Sequence, residues 1–225
     1  MELYEKKAIY SNALASERDT AGFVMEGFGA TSYPRERLRL ESILGPEHDQ
    51  RANILFWCPE DFPANVGIEW DFYPVHEPGL CMFFFAARGR NGEDLFAPTL
   101  ARRTGEYDQY NKGDIDAYHV SYFRRKNVRS FNTCNLRKSY GFHLVAQGAD
   151  PIPSVLDAVP PYHMRLTIFT GHITFSINDL DVIRWVDDGN EYGPALKNGK
   201  IGFRQMAPMI AEYANLTVFE LTGRK

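Results

Sequence analysis

The chain is dominated by short runs in which apolar and polar residues alternate, separated by clusters of turn-forming residues. In the run from 66 to 73, apolar side chains occupy every second position from Val66 to Phe72, and Glu69 and Asp71 fall on the opposite face. A period of two is typical of a strand with one buried face, whereas helical periodicity is scarce here. The pattern therefore predicts antiparallel β-sheets.

Further runs extend this prediction along the chain. The same test predicts strands at 117–124, 131–137, 162–169, 173–177, 181–185, 200–205 and 213–221. The run Leu80 to Ala87 is apolar on both faces, so we expect it to be a central strand covered on both sides. In all, the alternation predicts on the order of twelve strands. That number favours an all-β, two-sheet antiparallel jelly-roll sandwich over a small immunoglobulin-like one.

The length of the chain and its long loops suggest how the domain is organised. A chain of 225 residues with ordinary apolar content fits one domain over residues 1–225, since sandwiches of this size often remain undivided. The segments Arg88 to Gly113 and Gln147 to Pro161 are longer than hairpin loops and contain Pro and Gly. We expect them to lie at the rim of a binding groove.

Charge and targeting signals narrow the classes of partner. The net charge of −4 and the scattered basic residues argue against a nucleic-acid or anionic-membrane partner. No apolar run approaches the roughly 18 residues of a membrane span, and the start MELYEKKAIY lacks the features of an export signal. We therefore expect a cytoplasmic protein. The three widely spaced cysteines, Cys58, Cys81 and Cys134, are expected to be buried reduced thiols.

Several longer runs resemble a known family. They are WCPEDFP (57–63), YHVSYFRR (118–125), NLRKSYGFHLVAQGADPIP (135–153), GKIGFRQMAP (199–208) and YANLTVFEL (213–221). They resemble the bacterial YesU-like family, a domain of unknown function in the concanavalin A-like lectin/glucanase superfamily, and the match covers nearly the whole chain. The resemblance implies a curved jelly roll and the use of acidic plant or algal polysaccharides such as rhamnogalacturonan or ulvan. Because this superfamily contains lectins, hydrolases and lyases, it leaves the activity open.

Glycoside hydrolysis is one candidate reaction, because it needs two carboxyl groups that face one bond. Glu69 and Asp71, two positions apart on one strand, supply such a pair. The superfamily's retaining glucanases carry a longer acidic pattern, and here Gly67 stands two positions before Glu69. The alternative for this pair is a solvated face with ion pairs to Arg or Lys.

Elimination from a uronic acid is the second candidate reaction. It needs donors that neutralise the carboxylate, a His or Tyr base, and an acid for the leaving oxygen. The segment from Tyr118 to Gln147 is dense in these residue types. The candidate catalytic residues are His119, Tyr122 and His143, and the candidate substrate-binding residues are Arg124, Asn135, Arg137, Glu69, Asp71 and Gln205. Because His119 and Tyr122 point to opposite faces of a regular strand, at most one belongs to the groove.

The sequence thus favours a carbon–oxygen lyase that acts on uronate-containing oligosaccharides, as a dehydratase or a polysaccharide-type lyase. Its expected partner is an oligosaccharide, and it is expected to need no cofactor and no metal ion. A non-catalytic carbohydrate-binding protein and a hydrolase that uses Glu69 and Asp71 remain the alternatives. The turn residues Asp187, Asp188 and Asn190 are expected to form a turn rather than a calcium site.

Overall fold

A computed structural model describes residues 4–126 and 132–224 and shows two antiparallel sheets packed face to face. The eight-stranded sheet contains β1 (Tyr4–Asn12), β3 (Gly29–Ser32), β4 (Leu38–Ser42), β6 (Val66–His76), β11 (Tyr162–Phe169), β12 (His172–Ile177), β13 (Leu180–Val186) and β15 (Ile210–Gly223). The seven-stranded sheet contains β2 (Val24–Glu26), β5 (Ile54–Trp57), β7 (Gly79–Gly89), β8 (Ile115–Arg125), β9 (Thr133–Ser139), β10 (His143–Ala149) and β14 (Lys200–Met206). The predicted all-β, two-sheet architecture is confirmed.

The strand order brings distant parts of the chain together. The order in the larger sheet is β13-β12-β11-β6-β15-β4-β3, and β1 also pairs with β15. The order in the smaller sheet is β10-β9-β8-β7-β14-β5-β2. Helical structure in the described residues is limited to a short 3₁₀ segment at Pro46–Ala52 and one turn, α1 (Asp108–Asn111).

The core between the sheets is formed by the apolar face of each alternating strand. On β6, the buried residues Val66, Ile68 and Trp70 point inward. The Trp70 ring stacks on Phe83 of β7 with a centroid distance of 4.3 Å. Such aromatic pairs contribute about 0.5–1.5 kcal/mol beyond the burial of their area, so this contact helps to fix the sheets against each other.

The alternation predicted the middle and the end of the chain better than its beginning. Each predicted run lies within or largely overlaps an observed strand, although Phe131 of one run falls outside the described residues. The described part of the chain has fifteen strands rather than about twelve, and the nine predicted runs leave out β1 to β5 and β10. Most side chains of β1 are exposed or half-exposed, and β2 to β4 have three to five residues, so these strands give a weak periodic signal.

Strand β7 is covered on both faces, as its apolar sequence predicted. Its inward side chains Phe83 and Phe85 belong to the core between the sheets. Its outward side chains Met82 and Phe84 belong to a second apolar cluster that includes Tyr110. Of the segment Arg88 to Gly113, which we expected at the rim of a groove, residues 88–89 belong to β7. The segment 90–114 between β7 and β8 packs across part of the seven-stranded sheet. In the other expected loop, residues 147–149 belong to β10.

Two smaller predictions can also be compared with the structure. Cys58, Cys81 and Cys134 are buried and free, as expected. The residues at 4–126 and 132–224 include no helix with the length and apolar character of a membrane span.

Candidate functional site

The outer face of the seven-stranded sheet brings together several of the predicted polar residues. Strand β8 directs His119 and Ser121 outward, because the residues that alternate with them, Tyr118, Val120 and Tyr122, lie in the core. On the neighbouring strand β9, Arg137 pairs with His119 and Asn135 pairs with Ser121. These four side chains therefore occupy two adjacent rows on one face of the sheet.

The row that contains Asn135 and Ser121 continues across β7 to an arginine on β14. Met82 of β7 pairs with Ser121, and Arg204 of β14 pairs with Met82. Phe203 lies in the core between the sheets, so alternation directs Arg204 to the outer face beside the His119 row. Sequence reasoning missed Arg204, although the same alternation could have found it.

Arg204 is a buried cation without hydrogen-bond partners. Its side chain is 0% exposed, and none of its three guanidinium nitrogens has a hydrogen-bond partner among the described residues. The guanidinium carbon lies 5.2 Å from the ring centroid of Tyr107 and 4.9 Å from that of Tyr110. These cation–π contacts offset part of the cost of burying a charge. The guanidinium N–H groups therefore have no acceptor within the described residues.

Tyr107 and His119 form a neutral pair next to Arg204. The Tyr107 hydroxyl lies 2.7 Å from Nε2 of His119, and the His119 ring stacks on Phe84 with a centroid distance of 4.6 Å. Burial, reinforced by the positive charges of Arg137 and Arg204, lowers the pKa of His119 to about 3. Burial also raises the pKa of Tyr107 to about 12, so both side chains are uncharged at neutral pH.

The accessible part of this face is polar and carries positive charge. Arg137 is half-buried, lies 3.7 Å from the ring centroid of Phe142, and donates to the Phe142 carbonyl at 3.0 Å. Burial, followed by the neighbouring charge of Arg124, lowers the pKa of Arg137. Arg124 is exposed. We call Tyr107, His119, Arg124, Arg137 and Arg204 the arginine site.

Asn135 and Gln147 lie next to the arginine site. The Gln147 side-chain amide donates to Oδ1 of Asn135 at 2.7 Å. Asn135 is buried, whereas Gln147 is exposed. An amide group is therefore available to a ligand at this edge of the site.

Two predicted site residues lie in the core instead. Tyr122 is 0% exposed and packs against Phe72 and Phe175 between the sheets. Gln205 is also buried, and its side-chain amide is hydrogen-bonded to the Tyr213 hydroxyl at 2.9 Å. Both side chains therefore point into the core, away from the outer face that carries His119.

His143 lies away from the other predicted catalytic residues. It pairs with Lys138, whose side chain points inward and forms a 2.7 Å ion pair with Asp187. The His143 ring lies 4.9 Å from that of Tyr192. The structure therefore brings His119, but not His143 or Tyr122, to the arginine site.

Glu69 and Asp71 lie on the outer face of the other sheet. Glu69 forms ion pairs with Lys6 at 3.3 Å and with Arg165 at 4.0 Å. Asp71 lies 2.5 Å from Nδ1 of His163 and accepts a 2.7 Å hydrogen bond from the Asn215 amide. These contacts match the ion-pair alternative, and the pair is separated from the arginine site by the whole sandwich.

Tyr107 was the second important omission of the sequence analysis. It lies just before α1 in the segment that crosses the sheet, and no periodic pattern connects it with His119. The only sequence signal for Tyr107 was the expectation that its segment lies at the rim of a binding groove. No three His, Cys, Asp or Glu side chains of the described ranges are grouped so that they could hold a metal ion.

The fold defines the chain as a galectin-like sandwich of the concanavalin A-like type. A crystal structure of a protein of unknown function with a galectin-like fold from Bacillus subtilis matches with a TM-score of 0.93 and 50% identity, covering 98% of this chain and 100% of that one. The carbohydrate-binding module CBM66 from Bacillus subtilis matches with a TM-score of 0.55 and 14% identity, covering 88% and 94%.

Sequence comparison then identifies the family. Residues 7–218 match the family described as "Domain of unknown function (DUF1961)". The uncharacterized protein YesU of Bacillus subtilis (strain 168) is 51% identical over 222 residues, which are 98% of this chain and 99% of that protein. The chain therefore belongs to the DUF1961 family, and the resemblance to YesU-like proteins is confirmed.

Proposed function

We propose that the protein binds uronate-containing oligosaccharides at the arginine site and breaks a carbon–oxygen bond in them by β-elimination. The observation that carries this proposal is the buried Arg204, whose guanidinium nitrogens have no hydrogen-bond partner within the described residues, beside the neutral Tyr107–His119 pair. A buried cation without hydrogen-bond partners, next to a proton-transfer pair, suits a substrate that brings its own carboxylate.

The carboxylate would meet the accessible cations first. Arg137 is half-buried and Arg124 is exposed, so both can contact a sugar that lies on the sheet. A guanidinium binds a carboxylate through two parallel hydrogen bonds, which also fixes the orientation of the sugar. Arg204, fully shielded behind Tyr107, would stabilise the negative charge that develops on the carboxylate as the C5 proton leaves.

The proton-transfer roles follow from exposure. Tyr107 is half-buried and can touch the sugar, whereas His119 is 1% exposed and can act only through the Tyr107 hydroxyl. In the proposed reaction, this pair takes the C5 proton and returns a proton to the oxygen that leaves C4. The C5–H electrons form the C4=C5 double bond. The departing group is water at a terminal residue and a sugar hydroxyl at an internal one.

Substrate binding would also change the basicity of His119. Burial is the main cause of its low pKa, and the charges of Arg137 and Arg204 lower the pKa further. A bound carboxylate offsets these two charges, so the pKa of His119 rises in the complex. The pair would then be a better proton acceptor with substrate than without it.

Two alternative functions have different support. A non-catalytic carbohydrate-binding role is compatible with the same site and with the fold shared with the CBM66 module. Hydrolysis by Glu69 and Asp71 has weaker support, because both carboxylates are held by cations, His163 or Asn215. A binding protein and an eliminating enzyme differ in whether the bound oligosaccharide changes.

The test is incubation of the purified protein with saturated and unsaturated uronate oligosaccharides, followed by mass and by ultraviolet absorbance. Loss of water with a new conjugated double bond indicates a dehydratase, and cleavage with a new double bond indicates a lyase. Cleavage with addition of water indicates a hydrolase. Binding without any change in mass would support the non-catalytic alternative and would contradict the elimination.

A further inference from the structure

The outer face of the eight-stranded sheet, on the opposite side of the molecule, carries an open groove. Two depressions of about 570 and 510 Å³ adjoin there and share Arg165 in their walls. The outward side chains of β11, from His163 to Phe169, line both depressions in sequence. Because a strand rises about 3.3 Å per residue, these positions span about 20 Å. The groove thus has the length of a short oligosaccharide rather than of a single sugar.

Next to Thr167, which lines the larger depression, the neighbouring position on β6 has no side chain. Gly67 lies on β6, where it pairs with Thr167 on one side and Phe219 on the other. Its backbone is not in the left-handed region that favours glycine. A Cβ atom built there would lie 3.6 Å from its nearest neighbour, an ordinary contact. Neither backbone strain nor crowding requires glycine, although glycine within a strand costs about 0.5–1 kcal/mol.

The floor next to Gly67 is formed by small hydroxyl side chains. Thr167 pairs with Thr174 on β12, and both line the larger depression. Ser176, in the next row, donates to Asp181 at 2.6 Å. At one end the groove is bounded by Tyr4 and Phe169, whose rings are 5.3 Å apart. Hydroxyls with an aromatic boundary match the hydroxyl groups and the apolar C–H faces of sugar rings.

The charges in the groove are nearly balanced. Arg184 donates to Asp181 at 2.9 Å, and Arg165 forms an ion pair with Asp179. Lys6 lies 3.3 Å from Glu69. Unlike the arginine site, this groove therefore gives no electrostatic preference for an anionic ligand. Its paired carboxylates and guanidiniums can still exchange hydrogen bonds with neutral hydroxyl groups.

From this combination we infer a second binding site, in which the groove along β11 holds a neutral oligosaccharide. The length, the hydroxyl floor, the aromatic end and the charge balance each match that ligand. The inference does not depend on the proposed elimination, since the two sites lie on opposite sheets. A second copy of the chain seated on this face is the competing occupant.

The test replaces Gly67, the neighbour of Thr167, by threonine, which adds a side chain next to the groove. The Cβ atom of Gly67→Thr makes only ordinary contacts, and threonine has a higher strand propensity than glycine, so the Tm of this variant is expected to equal or exceed that of the wild type. Isothermal titration with maltotetraose, cellotetraose and β-1,4-galactotetraose is expected to show binding of at least one to the wild type. Gly67→Thr should weaken that binding at least tenfold, and Arg204→Met should leave it unchanged.

A second variant and a measurement of the oligomeric state distinguish sugar binding from misfolding and from self-association. Thr174→Gln places a longer side chain on the same floor and tests the site even if Gly67→Thr does not fold. The inference is overturned if no neutral tetrasaccharide binds, if both groove variants bind normally, or if Arg204→Met removes the binding. Light scattering that shows a wild-type dimer and a monomeric Gly67→Thr would assign the face to self-association instead. Elimination activity of Gly67→Thr on uronates should remain at the wild-type level.

Discussion

Replacing Arg204 by methionine should make the free protein more stable while weakening its binding of uronates, because the charge of Arg204 no longer attracts the carboxylate. The guanidinium is 0% exposed and lacks hydrogen-bond partners in the described part of the chain. Methionine has a similar length, is apolar and adapts to irregular spaces. The substitution therefore removes a buried charge and leaves only a small change in packing.

The expected gain is the difference between two effects. Unsatisfied buried polar groups cost about 1–3 kcal/mol, and more when they are charged. The contacts with the rings of Tyr107 and Tyr110, which the substitution removes, contribute about 2 kcal/mol when desolvated. We expect a net stabilisation of about 1 kcal/mol, which corresponds to an increase in Tm of about 2–4 °C for a chain of this size.

The assay is thermal unfolding with and without a uronate oligosaccharide. A ligand present at about 100 times its Kd stabilises the folded state by about 2.7 kcal/mol, so the wild type should show a clear increase in Tm. Arg204→Met should begin at a higher Tm and show a smaller ligand-dependent increase than the wild type. Arg184→Met is the matched control, because Arg184 is exposed on the other sheet, and it should respond to the ligand like the wild type.

The outcomes separate the reasoning about stability from the proposed function. A decrease in the Tm of Arg204→Met by more than a few degrees would refute the conclusion that burying Arg204 without hydrogen-bond partners destabilises the free protein. A normal ligand response in this variant would show that Arg204 does not support carboxylate binding. If the wild type itself does not respond to any uronate oligosaccharide, the proposed function is wrong.

Other expected outcomes concern the neighbouring groups. Tyr107→Phe should lower the elimination rate at least 100-fold in the ultraviolet assay, whereas Tyr192→Phe should not change it. Because His119 is neutral when folded and its pKa is lowered to about 3, acid favours the unfolded state. Its stabilising contribution is complete above the unfolded pKa of about 6.5 and is lost as the pH falls towards 3. Urea unfolding between pH 7 and pH 4 should therefore show a smaller decrease in stability for His119→Gln than for the wild type. Glu212, 0% exposed beneath Arg35, Arg37 and Arg39, should lower the unfolding free energy by about 2–4 kcal/mol when replaced by Gln, as measured by the same urea titration.

The alternation rule predicted much of this architecture because each sheet has one face in the core. It placed Glu69 and Asp71 opposite Trp70, and it showed that His119 and Tyr122 lie on different faces. Applied to β14, the same rule would have grouped Gln205 with buried Phe203 and directed Arg204 outward. Gln205 was selected for its residue type rather than for its position in the alternation, so Arg204 was missed.

Other parts of the site depend on contacts that no local pattern encodes. Tyr107 reaches His119 only because the segment 90–114 folds back over β7 and β8, guided by an apolar cluster around Tyr110 and Leu95. The pairing of Glu26 with Arg103 and Tyr110, which ties this segment to β2, joins residues more than 70 positions apart. Short-range periodicity carries no information about such contacts.

The double coverage of β7 also divides the molecule into layers that should open at different free energies. Amides of Gly79–Gly89 lie between the core and the segment 90–114. Hydrogen exchange there should require global unfolding. The covering segment contains one turn of helix, α1, and no strand within residues 90–114. It can detach while both sheets stay intact, and Tyr107 would leave His119 as it does so. Exchange in this segment would then report how often the native sandwich uncovers Arg204.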